Sequence, residues 1–250
     1  MGVLLARQGP AAVVTMSWPE QRNALGPEEA REVSDALRQA AEAPDVAGVV
    51  LTGEGAFCAG GNLKAASTRV EMPPEERRTL VYGAFQGLIQ TLVGLPVPTV
   101  AAVDGPAVGM GLDLALACDS RFIGPDGWCR QGWARIGLIP GTGGELLLRM
   151  RAPGALWRLL DGQPKVGADL AERLGIGEAT DGATARDAAL RRVESYAVYS
   201  PATIGGYVRL NRSELRARLP EHQAECLATQ LELLSDPAFR DRARAALPGR

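Results

Sequence analysis

The chain has 250 residues, of which 46% are hydrophobic and 22% charged, and its 27 basic and 29 acidic residues give a net charge of −2. A chain of this length and composition can bury a full core, as one large domain or as a domain with a small appendage. The near balance of charge provides no field that would attract nucleic acid or an anionic membrane surface. No charged and then apolar leader opens the sequence, and the most apolar region, residues 91–103, is too short to span a bilayer. We therefore expect a cytoplasmic protein that has no nucleic-acid or membrane partner.

The residue inventory excludes several kinds of catalytic site. His222 is the single histidine, in the polar stretch PEHQAE that we expect to start a late helix, and no G-x-S-x-G sequence is present, so a Ser-His-Asp hydrolase is disfavoured. Metal sites built on imidazole pairs are excluded by the same count. No glycine cluster completes the phosphate-binding patterns G-x-x-x-x-G-K-[ST] or G-x-G-x-x-G. Buried, reduced thiols are expected for the four cysteines, whose spacing fits neither a zinc site nor a disulfide framework: Cys58, Cys118, Cys129 and Cys226.

The first elements are a hairpin and a helix. Two strand-like runs, residues 3–7 and 11–17, predict an opening hairpin that turns at residues 8–10. A helix is predicted in GPEEAREVSDALRQAAEA, because Pro27 suits a first helical position and the two glutamates after it suit the first turn. Its apolar face consists of Ala30, Val33, Leu37, Ala40 and Ala41.

The next segments alternate between strands and helices. Residues 49–52 predict a buried strand, and glycine and alanine are frequent in the turn that follows it. A long helix is predicted from about Glu75 to Leu92, ending before Pro96. Residues 99–103 predict another buried strand. The apolar side of the long helix is expected to comprise Leu80, Val81, Ala84, Phe85, Leu88, Ile89 and Leu92.

This alternation of strand, glycine-rich turn and helix favours an α/β fold built from parallel βα units. After about residue 145 the pattern is helical almost to the end of the chain. Gly141, Gly143 and Gly144 mark the entry to that part.

Four ordered blocks carry a resemblance to a known family. The blocks are RNAL at 22–25, GAFCAGGNLK at 55–64, AAVDGPAVGMGLDLALACDSRF at 101–122 and GLIPGTGG at 137–144, and the tail SDPAFRDRARAAL is similar to a closing helix of the same family. In their order and spacing they resemble the crotonase (enoyl-CoA hydratase/isomerase) superfamily. The resemblance covers essentially the whole chain.

The resemblance implies an architecture and an assembly. We expect a crotonase-like spiral of repeated ββα turns with an acyl-CoA site over residues 1–190. A helical region over residues 191–250 is expected to mediate assembly into a homotrimer or a dimer of trimers.

The resemblance also implies an oxyanion hole for the thioester carbonyl of an acyl-CoA, made from two backbone N–H groups. By motif match the donors are Gly61 and Met110. Glycine allows a backbone to approach a ligand closely, and a helix N-terminus adds positive potential where enolate charge develops. Met110 departs from the glycine that is more usual in the family; its N–H is retained, and its side chain must turn away from the substrate.

The same blocks are expected to hold coenzyme A, which enters as part of the substrate and not as a separate cofactor; no metal is expected. By resemblance, Arg22 and Ala24 line the pantetheine and phosphate path. Arg22 and Lys64 can supply charge to phosphates, although each suits a solvated surface position equally well. The remaining expected contacts to the substrate come from Ala59, Gly60, Asn62, Leu63 and Gly109.

The acid/base groups of the family are only partly present. The hydratases of the family use two glutamates, and the matching positions here hold Asp113 and Trp133. A further catalytic position of the family corresponds to Gly141, which has no side chain to use. Asp113 is therefore the only carboxylate matched to a family catalytic position, and its apolar neighbours predict a raised pKa. Its alternative role is a helix-start carboxylate that caps backbone N–H groups. Trp133 is expected to be a pocket wall.

Three functions remain open. The first is an enoyl-CoA hydratase/isomerase-like lyase or isomerase with Asp113 as the single acid/base, for which full two-carboxylate hydratase activity is not expected. The second is a crotonase-fold decarboxylase or thioester hydrolase, which would use the same oxyanion hole. The third is a catalytically weak acyl-CoA-binding subunit, for which the residues at positions 133 and 141 are the evidence.

Overall fold

The computed structural model describes residues 1–43, 45–62, 72–236 and 238–246. Two sheets organise this part of the chain. The larger has six strands, β1 (Gly2–Gln8), β2 (Ala11–Ser17), β3 (Gly48–Gly53), β4 (Thr99–Val103), β6 (Ser120–Ile123) and β9 (Glu178–Ala179), in that spatial order. The smaller contains β5 (Pro106–Val108), β7 (Trp128–Arg130) and β8 (Val166–Gly167), with β7 in the centre.

The predicted α/β fold with an opening hairpin is confirmed. β1 and β2 are antiparallel, whereas every neighbouring pair from β2 to β9 in the larger sheet is parallel. Parallel neighbours require crossover connections, and helices lie in those connections up to β9. The helices of the described residues are α1 (Pro27–Glu42), α2 (Pro74–Glu76), α3 (Gly83–Gly94), α4 (Met110–Ala117), α5 (Gly144–Arg151), α6 (Ala155–Leu160), α7 (Ala168–Arg173), α8 (Ala185–Tyr196), α9 (Pro201–Asn211), α10 (Ser213–Leu234) and α11 (Phe239–Ala246).

The sheet separates two apolar layers, because successive side chains of a strand point to opposite faces. On one face Val14, Met16 and Leu51 join the main core with α1 and α3. On the other face Val13 and Val50 pack with the buried side of α8. Helix α8 therefore belongs to the sheet, and the expected division at residue 190 falls inside it. That division stays a prediction.

Helix α1 begins where the sequence predicts. Pro27 is its first residue, and the Glu29 carboxylate accepts a hydrogen bond of 2.9 Å from the Gly26 N–H, which caps the helix start. The predicted apolar residues from Ala30 to Ala40 are buried.

The long helix predicted from Glu75 to Leu92 differs from the structure in one respect. A π-helical segment, Arg77–Tyr82, joins α2 to α3. A π-helix has more residues per turn than an α-helix, so the apolar stripe rotates along it. Leu80, which the helical pattern places with the buried residues, is consequently 44% exposed, while Val81 and Tyr82 are buried.

The late helix that contains His222 also begins earlier than its sequence suggests. Helix α10 starts at Ser213 and continues through Pro220. A proline inside a helix removes one hydrogen bond, but the packing of Leu215, Leu219 and Leu227 in the core keeps the helix continuous. Within the described residues, no helix combines the length and apolarity needed to cross a membrane.

A buried arginine joins the C-terminal helices to the sheet. Arg212, which precedes α10, is 1% exposed, and its guanidinium forms an ion pair with Asp119 at the end of α4. Burial alone would raise the pKa of Asp119, but the hydrogen bonds and the charge of Arg212 outweigh it and lower that pKa. The remaining guanidinium hydrogen bonds go to the Thr99 hydroxyl and to the backbone carbonyls of Leu92, Val93, Leu95 and Val97.

We expect Arg212→Met to lower the free energy of unfolding by about 3–5 kcal/mol, because it leaves the Asp119 carboxylate buried without its partner. Chemical denaturation measures this loss. The matched control is Arg218→Met, which removes the exposed pair with Glu214 and should cost about 0.5 kcal/mol or less. Similar losses in the two variants would contradict this role of Arg212.

Candidate active site

Two backbone segments meet at the carboxyl ends of the strands. The segment that follows β3 runs alongside β5: the Cys58 N–H donates to the Pro106 carbonyl at 3.0 Å, and the Val108 N–H donates to the Cys58 carbonyl at 2.9 Å. These bonds fix residues 58–61 beside the turn that begins α4.

Glycine is required where the two segments touch. Gly60 has a φ of 102°, and a Cβ there would lie 2.8 Å from the Val108 carbonyl oxygen and 3.8 Å from the Met110 nitrogen. A Cβ at Gly111 would overlap the Cys58 carbonyl. Any other residue at these two positions would push the segments apart.

The geometry directs two N–H groups toward the space between the segments. Leu25 pairs with Gly61 through the N–H of Leu25 and the N–H of Asn62, so the N–H of Gly61 points away from Leu25. Met110 is the first residue of α4, where N–H groups lack partners within the helix. Within the described residues, neither Gly61 nor Met110 has an acceptor for its N–H.

These two residues line a cavity of about 310 Å³. The structure brings eight of the residues predicted for the site into its lining: Arg22, Ala59, Gly60, Gly61, Asn62, Gly109, Met110 and Trp133. Met110 is 1% exposed, and its side chain joins the main core.

Five other predicted residues are elsewhere. Leu63 and Lys64 lie outside the described residues. Ala24 is half-buried beside the cavity lining, and its carbonyl accepts a 2.7 Å hydrogen bond from the Gln21 amide. Gly141 packs against α10, where a Cβ would lie 2.9 Å from the amide of Gln230. Asp113 lies behind the lining, and its role as an acid/base stays a prediction.

The Asp113 carboxylate is buried against three neighbours. Its Oδ2 accepts hydrogen bonds from the Trp133 Nε1–H at 3.0 Å and from the Thr142 hydroxyl at 2.6 Å. Its Oδ1 faces Gly144, where a Cβ would overlap the carboxylate. Both hydrogen bonds come from side chains, and within the described residues the carboxylate does not cap α4.

Burial raises the pKa of Asp113 to about 7, although the hydrogen bonds from Thr142 and Trp133 act in the opposite direction. The carboxyl can therefore hold or release a proton near neutral pH. The indole of Trp133 stands between it and the cavity: the ring lines the cavity, is 8% exposed, and donates its N–H away from the cavity to Asp113.

Asn23 fixes the backbone turn that carries Arg22, one of the cavity-lining residues. Arg22 and Asn23 both adopt left-handed φ values, 52° and 55°, which asparagine tolerates better than most residues. The fully buried Asn23 amide accepts from the Trp18 N–H at 2.8 Å and donates to the Ala56 carbonyl at 2.6 Å. Arg22 in turn accepts a 3.0 Å hydrogen bond from the Ala59 N–H at its carbonyl. This role of Asn23 was not predicted from the sequence; an asparagine at a turn between two elements is the signal that could have indicated it.

Several lining residues come from distant parts of the chain. The π-helical segment and α3 supply Val81, Tyr82 and Phe85, and the C-terminal helices supply Leu234 and Phe239. Cationic side chains at the cavity are Arg22, Arg130 and Arg135, and among the described lining residues there is no aspartate or glutamate.

The histidine lies away from this cavity. His222 Nε2 is 3.2 Å from the Cys226 sulfur and 3.3 Å from the Glu145 carboxylate, beside a second cavity. Burial raises the pKa of Cys226 to about 11, so this thiol is protonated at neutral pH. All four cysteines are buried and free, as their spacing predicts.

We expect Asp113→Asn to change how stability depends on pH. The carboxyl's pKa rises from about 4 in the unfolded chain to about 7 in the folded chain, so the folded state binds the proton more tightly and the parent loses up to about 4 kcal/mol of stability as pH rises between those values. The asparagine carbonyl still accepts both hydrogen bonds and does not titrate. In chemical denaturation from pH 4 to 8, the free energy of unfolding of the variant should therefore increase relative to that of the parent as pH rises. The control is Asp126→Asn, which changes an exposed carboxylate. A difference between Asp113→Asn and the parent that stays constant with pH would contradict the raised pKa of Asp113.

A family of known proteins matches nearly the whole length of the chain. The sequence model of the family described as "Enoyl-CoA hydratase/isomerase" matches residues 7–235. The chain is 40% identical over 153 residues to the Mycobacterium tuberculosis protein "Probable enoyl-CoA hydratase EchA14", a match that covers 61% of this chain and 58% of that protein. It is 30% identical over 178 residues to "Crotonyl-CoA hydratase" of Syntrophomonas wolfei, covering 70% of this chain and 66% of that protein. The chain thus matches about three fifths of the length of the first of these relatives.

Solved structures agree on the fold. The enoyl-CoA hydratase of Bacillus halodurans superimposes with a TM-score of 0.90, covering 98% of this chain and all of that chain, at only 19% identity. EchA1_1 of Mycobacterium paratuberculosis has a TM-score of 0.83 and 29% identity, covering 98% of this chain and 95% of that chain. With the crotonase fold established and a family match over residues 7–235, the chain belongs to the enoyl-CoA hydratase/isomerase family.

Proposed function

We propose that the cavity binds an acyl-CoA thioester with its carbonyl oxygen between the N–H groups of Gly61 and Met110. The observation that carries this proposal is that two residues with N–H groups unused by the described residues line the same cavity, on segments that the contacts of Gly60 and Gly111 hold together.

Such a pair favours an enolate over the neutral thioester. Negative charge develops on the thioester oxygen when the neighbouring carbon loses a proton or carbon dioxide and keeps the bonding electron pair. Fixed donors at that oxygen stabilise the charge without having to reorient. Met110 is also the first residue of α4, so the positive end of the helix dipole faces the same point.

Coenzyme A would extend from the N–H groups of Gly61 and Met110 past the turn that carries Arg22. Ala59, Gly60 and Asn62 adjoin the thioester end, and Arg22 lies on the path expected for pantetheine and phosphate. Ala24, Leu63 and Lys64 belong to the same proposal through family resemblance. Coenzyme A is here part of the substrate.

Asp113 is the proposed acid/base of this reaction. Its pKa of about 7 suits a group that takes and returns a proton at neutral pH. Its carboxylate would reach the acyl chain after the Trp133 indole swings out of its hydrogen bond with Oδ2. Proton transfer between two carbons of the enolate, as in an isomerase, needs only one such group. Hydration, named for the relatives, uses two in the family, and Trp133 occupies the second position.

A second candidate is a reaction that uses the oxyanion donors without a side-chain acid/base: decarboxylation, which passes through an enolate, or thioester hydrolysis, which passes through a tetrahedral oxyanion. It is favoured by the absence of any carboxylate from the described cavity lining. A catalytically weak acyl-CoA-binding subunit would have the same lining.

The expected trimer is likewise a proposal. Its support is a group of apolar side chains exposed on and before α9: Val198 at 77%, Tyr199 at 57%, Tyr207 at 70% and Leu210 at 70%. Exposed apolar groups of this kind mark association surfaces.

We expect the thioester carbonyl of bound butyryl-CoA to be polarised, which lowers its stretching frequency in difference infrared spectra. Met110→Pro removes one donor, and proline is tolerated at a first helical position, so the shift should fall markedly. The matched control is Met110→Ala, which loses the same side-chain packing and keeps the N–H, and it should retain the shift. An unshifted carbonyl in the parent would contradict the oxyanion hole.

We expect Asp113→Asn to keep acyl-CoA affinity and to lose deuterium incorporation at the carbons beside or beyond the thioester, because asparagine cannot exchange a proton near neutral pH. Mass spectrometry of butyryl-CoA and crotonyl-CoA incubated in heavy water measures this. The control is Thr142→Val, which removes one hydrogen bond and keeps the carboxylate, and it should retain exchange. Equal incorporation by parent and Asp113→Asn would assign Asp113 to structure and favour the second candidate.

A further inference from the structure

Cationic side chains gather around one tryptophan at the cavity. The Arg130 guanidinium carbon lies 5.4 Å from the Trp128 ring centroid, and the Lys165 ammonium lies 4.7 Å from the same ring. Trp128, Arg130 and Arg135 all line the cavity that contains Gly61 and Met110. Arg135 is near enough that its charge, after burial, lowers the pKa of Arg130.

These arginines have no anionic partner within the described part of the chain. The Nε–H of Arg130 is buried and has no hydrogen-bond partner there. Arg192, by contrast, is paired with Glu178 at 2.7 Å, whereas Arg151 shares with Arg130 a buried Nε–H that has no partner within the described residues. A buried donor without a partner and two like charges in proximity both cost stability, so an anion at this place would relieve both costs.

The two arginines are held at fixed places relative to the oxyanion donors. The Gly109 N–H donates to the Arg130 carbonyl at 3.0 Å, and Arg130 pairs with Val108 across β5 and β7. Arg130 is thereby attached to the residue that precedes Met110. Arg135 lies in the short 3-10 helix Trp133–Ile136, two residues after the indole that forms the cavity wall.

We propose that Arg130 and Arg135, with Lys165 nearby, form a subsite for a carboxylate or phosphate group of the acyl-CoA bound in this cavity. This inference rests on the proposed function and narrows its substrate. Guanidinium groups bind both oxyanions through paired, charge-assisted hydrogen bonds. The group comes either from the far end of a dicarboxylic acyl chain or from the phosphates of coenzyme A.

Three ligands distinguish these sources in calorimetric titrations. Succinyl-CoA carries the carboxylate and the phosphates, butyryl-CoA carries the phosphates alone, and butyryl-pantetheine carries neither. The variants are Arg130→Gln, Arg135→Gln and the double variant. The control is the double variant Arg158→Gln/Arg173→Gln, which removes two charges at exposed positions outside the cavity lining.

We expect the double variant Arg130→Gln/Arg135→Gln to lose about 10- to 100-fold in affinity for the anionic ligand, with butyryl-pantetheine and the control variant unaffected. A loss for succinyl-CoA that exceeds the loss for butyryl-CoA assigns the site to the acyl carboxylate. Equal losses for both assign it to the coenzyme A phosphates. Equal affinities of parent and variant for all three ligands would overturn the subsite while leaving the proposed function intact.

Failure of the proposed function has a different signature, which is a parent protein that binds none of the three ligands. That result would overturn the subsite as a feature of acyl-CoA recognition. Titration with inorganic pyrophosphate, followed by tryptophan fluorescence, would then show whether Arg130 and Arg135 bind an anion of another kind.

Discussion

The candidate site depends on one steric constraint, the contact between the backbones of residues 58–61 and 108–111. Gly60 lies against the Val108 carbonyl and Gly111 against the Cys58 carbonyl, so neither position has room for a Cβ. This contact holds Gly61 beside the first residue of α4. Strands β3 and β4, which lie behind the two segments, are buried and parallel, and they hold the segments in place. A small displacement of either segment would separate the two N–H groups, which explains why glycine occupies positions 60 and 111. Met110 is compatible with this contact because its side chain packs in the main core.

A second feature of the site is the buried carboxylate of Asp113, which suits both a structural role and proton transfer. An isolated carboxylate inside a protein is costly unless it is hydrogen-bonded or neutral. Asp113 combines the two solutions, because Trp133 and Thr142 donate to one oxygen while burial raises its pKa to about 7. The indole that stabilises the carboxylate also separates it from the cavity. Under the proposed function, the position of Trp133 would determine whether Asp113 can act on the acyl chain.

Local signals in the sequence predict much of the fold and part of the site. The hairpin, the start of α1 and the βα alternation depend on neighbouring residues, and the glycine blocks depend on turns; the structure confirms these elements. The exposure of Leu80 was not predictable from a 3.6-residue period, because the π-helical segment changes that period. Contacts between distant segments were also missed. Phe239 lines the cavity from the last helix, and Thr142 donates a hydrogen bond to Asp113, 29 positions away in the sequence. Arg130 and Arg135 are recognised as a pair only because both line the cavity.

In the proposed function, the thioester oxygen of an acyl-CoA lies between two backbone donors. A crystal structure of the protein with butyryl-CoA would measure both distances. We expect the carbonyl oxygen to lie about 2.7–3.2 Å from both the Gly61 nitrogen and the Met110 nitrogen. An acyl-CoA bound with that oxygen beyond hydrogen-bond distance of both nitrogens would contradict it.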